Sequence, residues 1–236
     1  MSVAAGSAMV GAMFWAKELW NYWKPRRVGI YGPTMVGKTT LDRYMTTPGE
    51  MEDIEKRTDH TKILGKYILP RPSRKRVGWK GEKRVIFSSD IGGEERFWNL
   101  WVDDMVNRQV EAVVFMFDHR CKKGGDEAIQ AIGGFKYLVD CIINRQYRYR
   151  NFKARRRGKK YCPSLIMLVA NKADQWWDEQ ANVLWQQQRL GEHKIFDPFR
   201  EDLIRLQKAG VPTRRGMMAT KIGWNVEPTM VDLLST

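Results

Sequence analysis

Short apolar runs alternate with longer polar or periodic stretches along most of this chain of 236 residues. The apolar runs have the length of buried strands, and several stretches between them have helical periodicity. The pattern predicts strands at 28–31, 62–69, 84–88, 111–117, 164–170 and 215–219, and helices at 41–45, 95–109, 126–144, 176–209 and 227–234. Strands that alternate with helices predict a three-layer α/β fold, in which helices cover both faces of a mostly parallel central sheet.

The first 24 residues have a different pattern. Residues 3–23 contain only two charged residues, and most of their Ala, Met, Leu and Trp side chains fall on one broad side of a helix. A basic cluster follows at 24–27. We therefore expect an N-terminal amphipathic helix over 1–24 and contact of residues 3–27 with a membrane surface. Packing of this helix on its own domain stays open, as does a membrane span, although its apolar part is shorter than the ~20 residues that a span needs.

Positive charge is concentrated in two segments of the chain. The formal net charge is +14, and residues 71–84 hold seven basic side chains against one acidic side chain. Residues 145–160 hold nine basic side chains and no acidic ones. The rest of the chain is close to neutral, so we interpret residues 25–236 as one domain that carries basic inserts at 70–84 and 145–160.

The second insert interleaves aromatic and basic side chains, with Tyr147, Tyr149 and Phe152 among the arginines and lysines. Aromatic stacking combined with phosphate contacts is typical of single-stranded RNA binding, and basic residues also bind anionic lipid headgroups. A solvated charged loop is the alternative interpretation. The three cysteines, Cys121, Cys141 and Cys162, are widely spaced without a C-x-x-C motif, which argues against a disulfide framework or a zinc site and indicates a reducing cytoplasm.

The segment GPTMVGKTT at 32–40 matches G-x-x-x-x-G-K-[ST] between a predicted strand and a predicted helix. In this context successive backbone N–H groups and the helix N-terminus bind the anionic oxygens of a phosphate chain. Lys38 is expected along the β- and γ-phosphates, and the Thr39 hydroxyl is expected to ligate Mg²⁺. The predicted nucleotide-binding residues of this loop are Gly32, Thr34, Met35, Val36, Gly37, Lys38, Thr39 and Thr40.

Polar motifs follow three other strands, where the ligand of such a sheet binds. After strand 84–88, Asp90 can hold Mg²⁺ through water and the Gly93 N–H can meet a γ-phosphate. After strand 164–170 comes Asn171-Lys172-Ala173-Asp174, in which the Asp174 carboxylate can accept two hydrogen bonds from guanine. Adenine presents an acceptor where guanine has a donor, so this carboxylate selects guanine. After strand 215–219, the backbone amides of Thr220 and Lys221 are placed to contact the guanine carbonyl.

Together these motifs resemble those of the Ras-superfamily small GTPases, most closely the Arf-like branch. The similarity lies in GKTTL at 37–41, DIGGE at 90–94, Leu100-Trp101, VVFMFD at 113–118, NKAD at 171–174 and ATK at 219–221, and it covers the chain from about residue 28 onward. The resemblance implies the P-loop NTPase fold, GTP and GDP with Mg²⁺, and slow hydrolysis assisted by exchange and activating factors. It also implies two switch segments that bind a protein effector or regulator.

Two positions depart from the pattern of that family, and one further motif leaves two residues open. Glu94 stands in place of the water-orienting Gln; it is our candidate catalytic residue with Lys38, but a carboxylate cannot donate a hydrogen bond to the transition state. Thr34 stands where many relatives have Gly, which narrows the room for an arginine supplied by another protein. For the first-switch Mg²⁺ ligand the spacing from Thr39 favours Thr58, with Thr61 in reserve.

The sequence therefore predicts a GTP-binding molecular switch that hydrolyses GTP slowly and associates with a membrane surface or membrane partner. Its expected location is the cytoplasm, peripheral at the inner face of a membrane. Two other interpretations stay open: an RNA- or ribosome-associated GTPase that uses the basic inserts, and a structural module that holds guanine nucleotide without turnover.

Overall fold

The structure, a computed structural model, describes residues 26–46, 62–68, 85–122, 124–145 and 161–234. Its strands form one sheet in the order β2-β3-β1-β4-β5-β6. β2 is antiparallel to β3, and the other neighbouring strands are parallel, which confirms the predicted mostly parallel sheet. The strands are β1 (Arg26–Tyr31), β2 (Lys62–Ile68), β3 (Val85–Asp90), β4 (Ala112–Phe117), β5 (Leu165–Ala170) and β6 (Thr213–Met217).

Helices connect the strands and cover both faces of the sheet. They are α1 (Lys38–Thr46), α2 (Trp98–Arg108), α3 (Asp126–Asn144), α4 (Glu179–Gln186), α5 (Arg200–Lys208) and α6 (Val226–Leu234). Short 3₁₀ turns lie at Glu95–Phe97, His119–Lys122, Ala173–Gln175, Leu190–Glu192, Lys194–Phe199 and Thr220–Ile222.

The central strands are apolar on both sides because each side has its own helical layer. In β4, Val113, Phe115 and Phe117 belong to a core that includes side chains of α2, α3 and α5. The alternate residues Val114 and Met116 belong to a second core, which includes side chains of α1 and α6. A strand that is buried on both faces is a continuous run of apolar residues in the sequence. The positions of these strands were therefore predicted well from the pattern.

The prediction of one long helix over 176–209 is wrong. The segment forms α4, two 3₁₀ turns and α5 instead. Gln188 has a left-handed backbone with φ of +56°, which ends the helical path after α4. The Nδ1 atom of His193 then accepts a hydrogen bond from the Ile195 amide and caps a new turn that contains Pro198, a residue without an amide hydrogen.

Smaller boundary differences affect two motif-bearing strands. β3 extends to Asp90 instead of ending before it, and β6 ends at Met217 although the predicted strand ran from 215 to 219. Several predicted features lie outside the described residues: the helix at 1–24, Thr58 and Thr61, and the basic inserts except for Arg145. Among the described helices, none combines the length and apolar character that crossing a membrane requires.

The amino ends of the parallel strands form one side of the molecule, which we call the amino edge. β1 begins there at Arg26, beside Ile86 near the start of β3. Ile68, the last residue of β2, pairs with Val85, the first residue of β3, so the β2–β3 connection also leaves at this edge. The chain returns from α3 at the same edge, where the Tyr161 hydroxyl donates to the Val110 carbonyl at 2.8 Å, two residues before β4.

Candidate functional site

The predicted phosphate loop, residues 32–37, lies at the point where the strand order reverses. β1 is flanked by β3 on one side and by β4 on the other, and the loop leaves its carboxyl end. Neighbouring connections diverge to opposite faces at such a point and leave a crevice in which open α/β sheets bind ligands. The fold therefore puts the glycine-rich segment where a nucleotide site is expected.

Glycines are required at both ends of this loop. Gly32 has a φ of +139°, and a Cβ atom there would lie 2.0 Å from the Met116 carbonyl oxygen of β4. Gly37 has a φ of +94°, and its Cβ would lie 2.4 Å from the side-chain nitrogen of Asn171. Between them Met35 is left-handed, with a φ of +64°. The loop is thus a compact turn of the kind in which backbone amides line an anion site.

The buried Lys38 ammonium group lies inside the loop. It donates hydrogen bonds to the carbonyl oxygens of Gly32 at 2.9 Å and Pro33 at 2.7 Å. α1 begins at this lysine, and the Leu41 amide donates to the Gly37 carbonyl at 2.9 Å. The half-buried Thr39 and Thr40 therefore lie in the first helical turn, where the helix dipole favours anions.

The loop after β3 packs directly on the phosphate loop. A Cβ atom on Gly93 would lie 2.1 Å from the Pro33 carbonyl carbon and 2.2 Å from the Thr34 amide nitrogen, so only glycine fits this contact. The fully buried Trp101 donates its indole N–H to the Gly92 carbonyl at 3.0 Å, which ties the loop after β3 to the core. Trp101, part of the Leu100-Trp101 match, is thus a core residue.

Glu94 follows this glycine and is only partly buried. Its carboxylate lies 2.8 Å from the guanidinium of Arg96. An ion pair at this exposure contributes little stability, because water screens both charges. The pair does neutralise the carboxylate next to the phosphate loop, which eases the approach of an anionic ligand.

The two predicted base motifs are joined to each other and to the phosphate loop by Asn171. The amide nitrogen of this fully buried side chain donates to the Val36 carbonyl at 2.7 Å and to the Thr220 hydroxyl at 2.9 Å. Its amide oxygen accepts from the Thr220 backbone N–H at 3.0 Å. Residues 36, 171 and 220, far apart in sequence, therefore form one hydrogen-bonded unit.

The other base-motif side chains surround this unit. Asp174 and Lys221 are exposed, as expected of groups that meet a ligand from solution. Lys172 has a left-handed backbone with φ of +56°, and its ammonium group lies 2.9 Å from the Asp118 carboxylate. Trp176 donates its indole N–H to the Asn171 carbonyl at 2.8 Å, which ties the following turn to the motif.

Asp118 and Arg120 are site residues that the sequence interpretation missed. Asp118 directly follows β4 and is 3% exposed, with both Lys172 and Arg120 against its carboxylate. Burial alone would raise the pKa of Asp118, but the hydrogen bonds and positive charges of Arg120 and Lys172 outweigh it and lower this pKa. The final Asp of VVFMFD was the available signal, since it stands at a strand end like the recognised motifs.

A second missed feature is an aromatic cluster beside the base motifs. Trp177, Trp185 and Trp224 contact one another, with ring centroids 4.9 to 6.4 Å apart. Two of these residues follow the base motifs by three positions, after Asp174 and Lys221 respectively. The cluster therefore lies next to both turns that carry the predicted base-binding groups.

The described residues fit a guanine nucleotide and partly test the magnesium site. The Thr34 hydroxyl is buried and, among the described residues, has no hydrogen-bond partner, so a polar ligand group can satisfy it. Gly32, Gly37 and Gly93 pack so closely on neighbouring segments that a Cβ atom at any of them would displace part of the loop. The backbone of Asp90 pairs with Ile30, two residues before the phosphate loop begins at Gly32. Thr58 lies outside the described residues.

Comparison with known proteins supports the fold. No protein-family model and no curated protein sequence matches this chain. Among solved structures, the crystal structure of a bacterial selenocysteine-specific elongation factor, EF-Sec, matches with a TM-score of 0.51 and 15% sequence identity. The match covers 89% of this chain but 29% of that one, so this chain spans less than a third of the elongation factor. At this level of identity the similarity shows that the chain shares the fold of that part of the elongation factor.

Proposed function

We propose that this protein is a GTP-binding molecular switch that hydrolyses GTP slowly. The observation that carries the proposal is the hydrogen-bonded unit of Asn171, Val36 and Thr220. It connects the phosphate loop to both base motifs through a side chain with no exposure to solvent. A buried polar network with these connections holds the phosphate-binding and base-binding groups at a fixed separation, as recognition of a whole nucleotide requires.

Each end of the nucleotide has its own set of residues in this proposal. The exposed Asp174 accepts the two donors of guanine, and the Thr220 and Lys221 turn faces the guanine carbonyl. The loop amides of residues 34–39 and the Lys38 ammonium hold the phosphates, for which Lys38 exchanges its present carbonyl partners. Thr39 and Asp90 would hold Mg²⁺, which neutralises charge on the β- and γ-phosphate oxygens when bound, with Thr58 as the first-switch candidate.

Glu94 limits the rate of hydrolysis in this proposal. It follows Gly93, whose backbone packs on Pro33 and Thr34, so its side chain begins at the terminal-phosphate end of the loop. A carboxylate there can accept a hydrogen bond from an attacking water but cannot donate one. We therefore expect slow turnover of GTP by the isolated protein.

The proposal is tested first by the nucleotide that the protein carries. Purified protein is denatured, the released nucleotide is identified, and GTP hydrolysis is followed over hours. We expect guanine nucleotide, with phosphate release within that time. Equal uptake of adenine nucleotides, or uptake of neither, contradicts the proposal, and bound GTP without phosphate release favours a structural module that holds the nucleotide permanently.

Replacement of Asp174 by Asn provides a second, residue-level prediction. The amide can donate a hydrogen bond where the carboxylate could only accept, so it matches the 2-oxo group of xanthine better than the amine of guanine. We expect GDP affinity to fall by a factor on the order of 100 or more and XDP affinity to rise. The matched control is Asp197→Asn, an exposed aspartate whose partner is Arg200. An unchanged base preference in Asp174→Asn contradicts the assignment.

We further propose that the switch associates with an anionic membrane surface through the amino edge. The support is topological, because the chain enters β1, turns from β2 to β3 and returns from α3 at this one edge. The segments attached there are the apolar and Trp-rich 1–25 and the two basic inserts. Their charges therefore begin at one side of the domain, away from the phosphate loop. This arrangement favours contact with a flat anionic surface.

An RNA- or ribosome-associated GTPase is the second candidate. It is favoured by the aromatic and basic composition of 145–160 and by the structural similarity to an elongation factor. Binding to a single-stranded RNA oligonucleotide and to anionic vesicles is measured at low and moderate salt. RNA binding with a steep salt dependence and no vesicle binding favours this candidate, and the reverse favours the membrane proposal.

A further inference from the structure

Arg120 is held rigidly at the end of β4 by its neighbour Asp118. The guanidinium Nε lies 3.0 Å from each carboxylate oxygen of Asp118, and the Arg120 backbone N–H donates to the same carboxylate at 3.1 Å. A further guanidinium nitrogen lies 2.9 Å from this carboxylate, and Glu127 is 3.8 Å away. Because the Asp118 carboxylate is buried, these charge-assisted contacts fix the direction in which the guanidinium points.

That direction is toward the phosphate loop. The Arg120 guanidinium donates to the Thr34 carbonyl oxygen at 3.4 Å, across 86 residues of sequence. Thr34 is also the residue whose amide nitrogen is in contact with Gly93. Arg120 and Gly93 therefore approach the same residue of the loop, at the end that faces the terminal phosphate in the proposed function.

The loop has a need for a second positive charge at this end. In the proposed function the Lys38 ammonium group exchanges the Gly32 and Pro33 carbonyl oxygens for the phosphates and supplies a single positive charge. The Glu94 carboxylate is already paired with Arg96, but a triphosphate develops negative charge on its terminal oxygens during hydrolysis. A preorganised guanidinium offsets such charge without reorganisation of solvent.

We propose that Arg120 is a catalytic arginine supplied by the chain itself, which stabilises the charge on the terminal phosphate of GTP. This inference rests on the proposed GTPase function. In the reaction water attacks the γ-phosphorus, the bond to the β–γ bridging oxygen breaks, and GDP, phosphate and a proton are released. The guanidinium forms no bond in this step and acts only by its charge and its N–H donors. The protein then hydrolyses GTP without an arginine from another protein.

The test compares single-turnover GTP hydrolysis by the full chain with that of Arg120→Ala, Arg120→Lys and the matched control Arg200→Ala, an exposed arginine on another surface. We expect Arg120→Ala to lower the rate roughly 100-fold or more, with Arg120→Lys between it and the wild type. GDP affinity is measured for each variant and should change by less than about threefold, because GDP lacks the phosphate that Arg120 contacts. Arg200→Ala should hydrolyse GTP at the wild-type rate.

Binding of GDP with aluminium fluoride separates a catalytic from a structural role. This planar anion imitates the transferred phosphoryl group, so the wild type should bind it without a partner protein and Arg120→Ala should not. Equal hydrolysis by Arg120→Ala and wild type overturns the inference, as does an equal loss of GDP affinity and rate. A wild type that binds GTP but does not hydrolyse it alone also overturns it and leaves nucleotide binding standing. A wild type that binds no guanine nucleotide overturns the proposed function as well.

Discussion

At the scale of single residues, the close contacts of three glycines define the proposed phosphate site. Gly32, Gly37 and Gly93 each approach another segment so closely that a methyl group would overlap it. The segments concerned are β4, the first base motif and the phosphate loop itself. Three connections that lie far apart in sequence are thereby brought to within van der Waals distance of one another.

Gly93→Ala tests the closest of these contacts. The added methyl group would lie about 2 Å from backbone atoms of Pro33 and Thr34, and backbone cannot move aside as a flexible side chain can. We expect a loss of about 2 kcal/mol in unfolding free energy and at least roughly tenfold weaker GTP binding. Urea unfolding and nucleotide titration measure these effects.

Gly210→Ala is the control for that variant. Gly210 has a φ of +76° and open space around its Cβ position, so the change strains the backbone without a clash. It should cost about 1 kcal/mol of stability and leave GTP affinity unchanged. Wild-type GTP affinity in Gly93→Ala would mean that the loop after β3 does not rest on the phosphate loop when nucleotide is bound.

The Asp118 carboxylate makes the unfolding free energy of the protein depend on pH in the acid range. Its pKa is lowered in the folded state, so its charge stabilises the fold fully above the unfolded pKa of about 3.9. That contribution is lost as the pH falls through the lowered folded pKa. We expect Asp118→Asn to flatten the decline of unfolding free energy below about pH 4, measured by urea unfolding at several pH values.

At neutral pH the same variant should be less stable by about 3 kcal/mol, because the positive charges of Lys172 and Arg120 lose their buried carboxylate. Asp197→Asn, at an exposed position, should keep the wild-type slope. If the unfolding free energies of wild type and Asp118→Asn fall equally with pH in the acid range, this carboxylate does not stabilise the fold by its charge.

Among the elements, the segment between β5 and β6 shows how the base motifs are supported. The Asp178 carboxylate accepts from the Ala181 amide and caps α4 at 2.9 Å, and it also lies 2.9 Å from the buried His193 ring. Burial alone would raise the pKa of Asp178, but hydrogen bonds from His193, Ala181 and Lys194 lower it. The His193 ring in turn packs against Trp176, whose indole is bonded to the Asn171 carbonyl.

Trp176→Phe tests this connection between the element and the site. The variant keeps an aromatic ring against His193 but loses the indole donor to Asn171, a bond worth about 1 kcal/mol. We expect roughly fivefold weaker GDP binding, measured by titration calorimetry. Trp185→Phe, a change at an exposed ring of the aromatic cluster, should bind GDP as the wild type does. Equal GDP affinity in Trp176→Phe and Trp185→Phe would contradict a supporting role for Trp176.

The sequence located most of the strands and the recognised motifs because both signals are local. A buried strand is a run of apolar residues, and a phosphate loop is a spacing of glycines followed by Lys38 and Thr39. The break in the predicted 176–209 helix could not be predicted from the sequence. It depends on His193, which caps a turn and contacts Asp178 fifteen residues away. The contact of Arg120 with Thr34 was equally hidden, since it spans 86 residues.

At the scale of the whole molecule, the sheet separates the recognised motifs from the points where the basic inserts are attached. The recognised motifs follow the carboxyl ends of β1, β3, β5 and β6, whereas the N-terminal segment and both basic inserts are attached at the amino edge. The described domain thus has one side with the motifs of the proposed nucleotide site and an opposite side at which the basic segments are attached. Parallel strands impose this separation, because their equivalent ends must lie together.

Removal of residues 1–24 and replacement of the basic residues of 145–160 by Gln test the membrane proposal. Flotation with vesicles of neutral lipid, or of neutral lipid with anionic phosphatidylserine, measures binding. We expect the wild type to float with anionic vesicles only, and both variants to bind less, by about 1 kcal/mol for each basic residue neutralised near the surface. The double variant Arg189→Gln and Arg200→Gln, exposed arginines of the described surface, should float like the wild type. Equal flotation of all variants would exclude the amino edge as the attachment site.

The length of the strands determines how far the proposed nucleotide site lies from the amino edge. A strand of six residues, such as β1, is about 20 Å long, so a protein resting on lipid by its amino edge holds its nucleotide opening about that far above the headgroups. In the membrane orientation proposed above, soluble exchange and activating proteins would reach a bound nucleotide from the aqueous phase without touching the bilayer. β1 ends at the phosphate loop and β3 at Asp90, so both strands would span the distance between the lipid and the nucleotide.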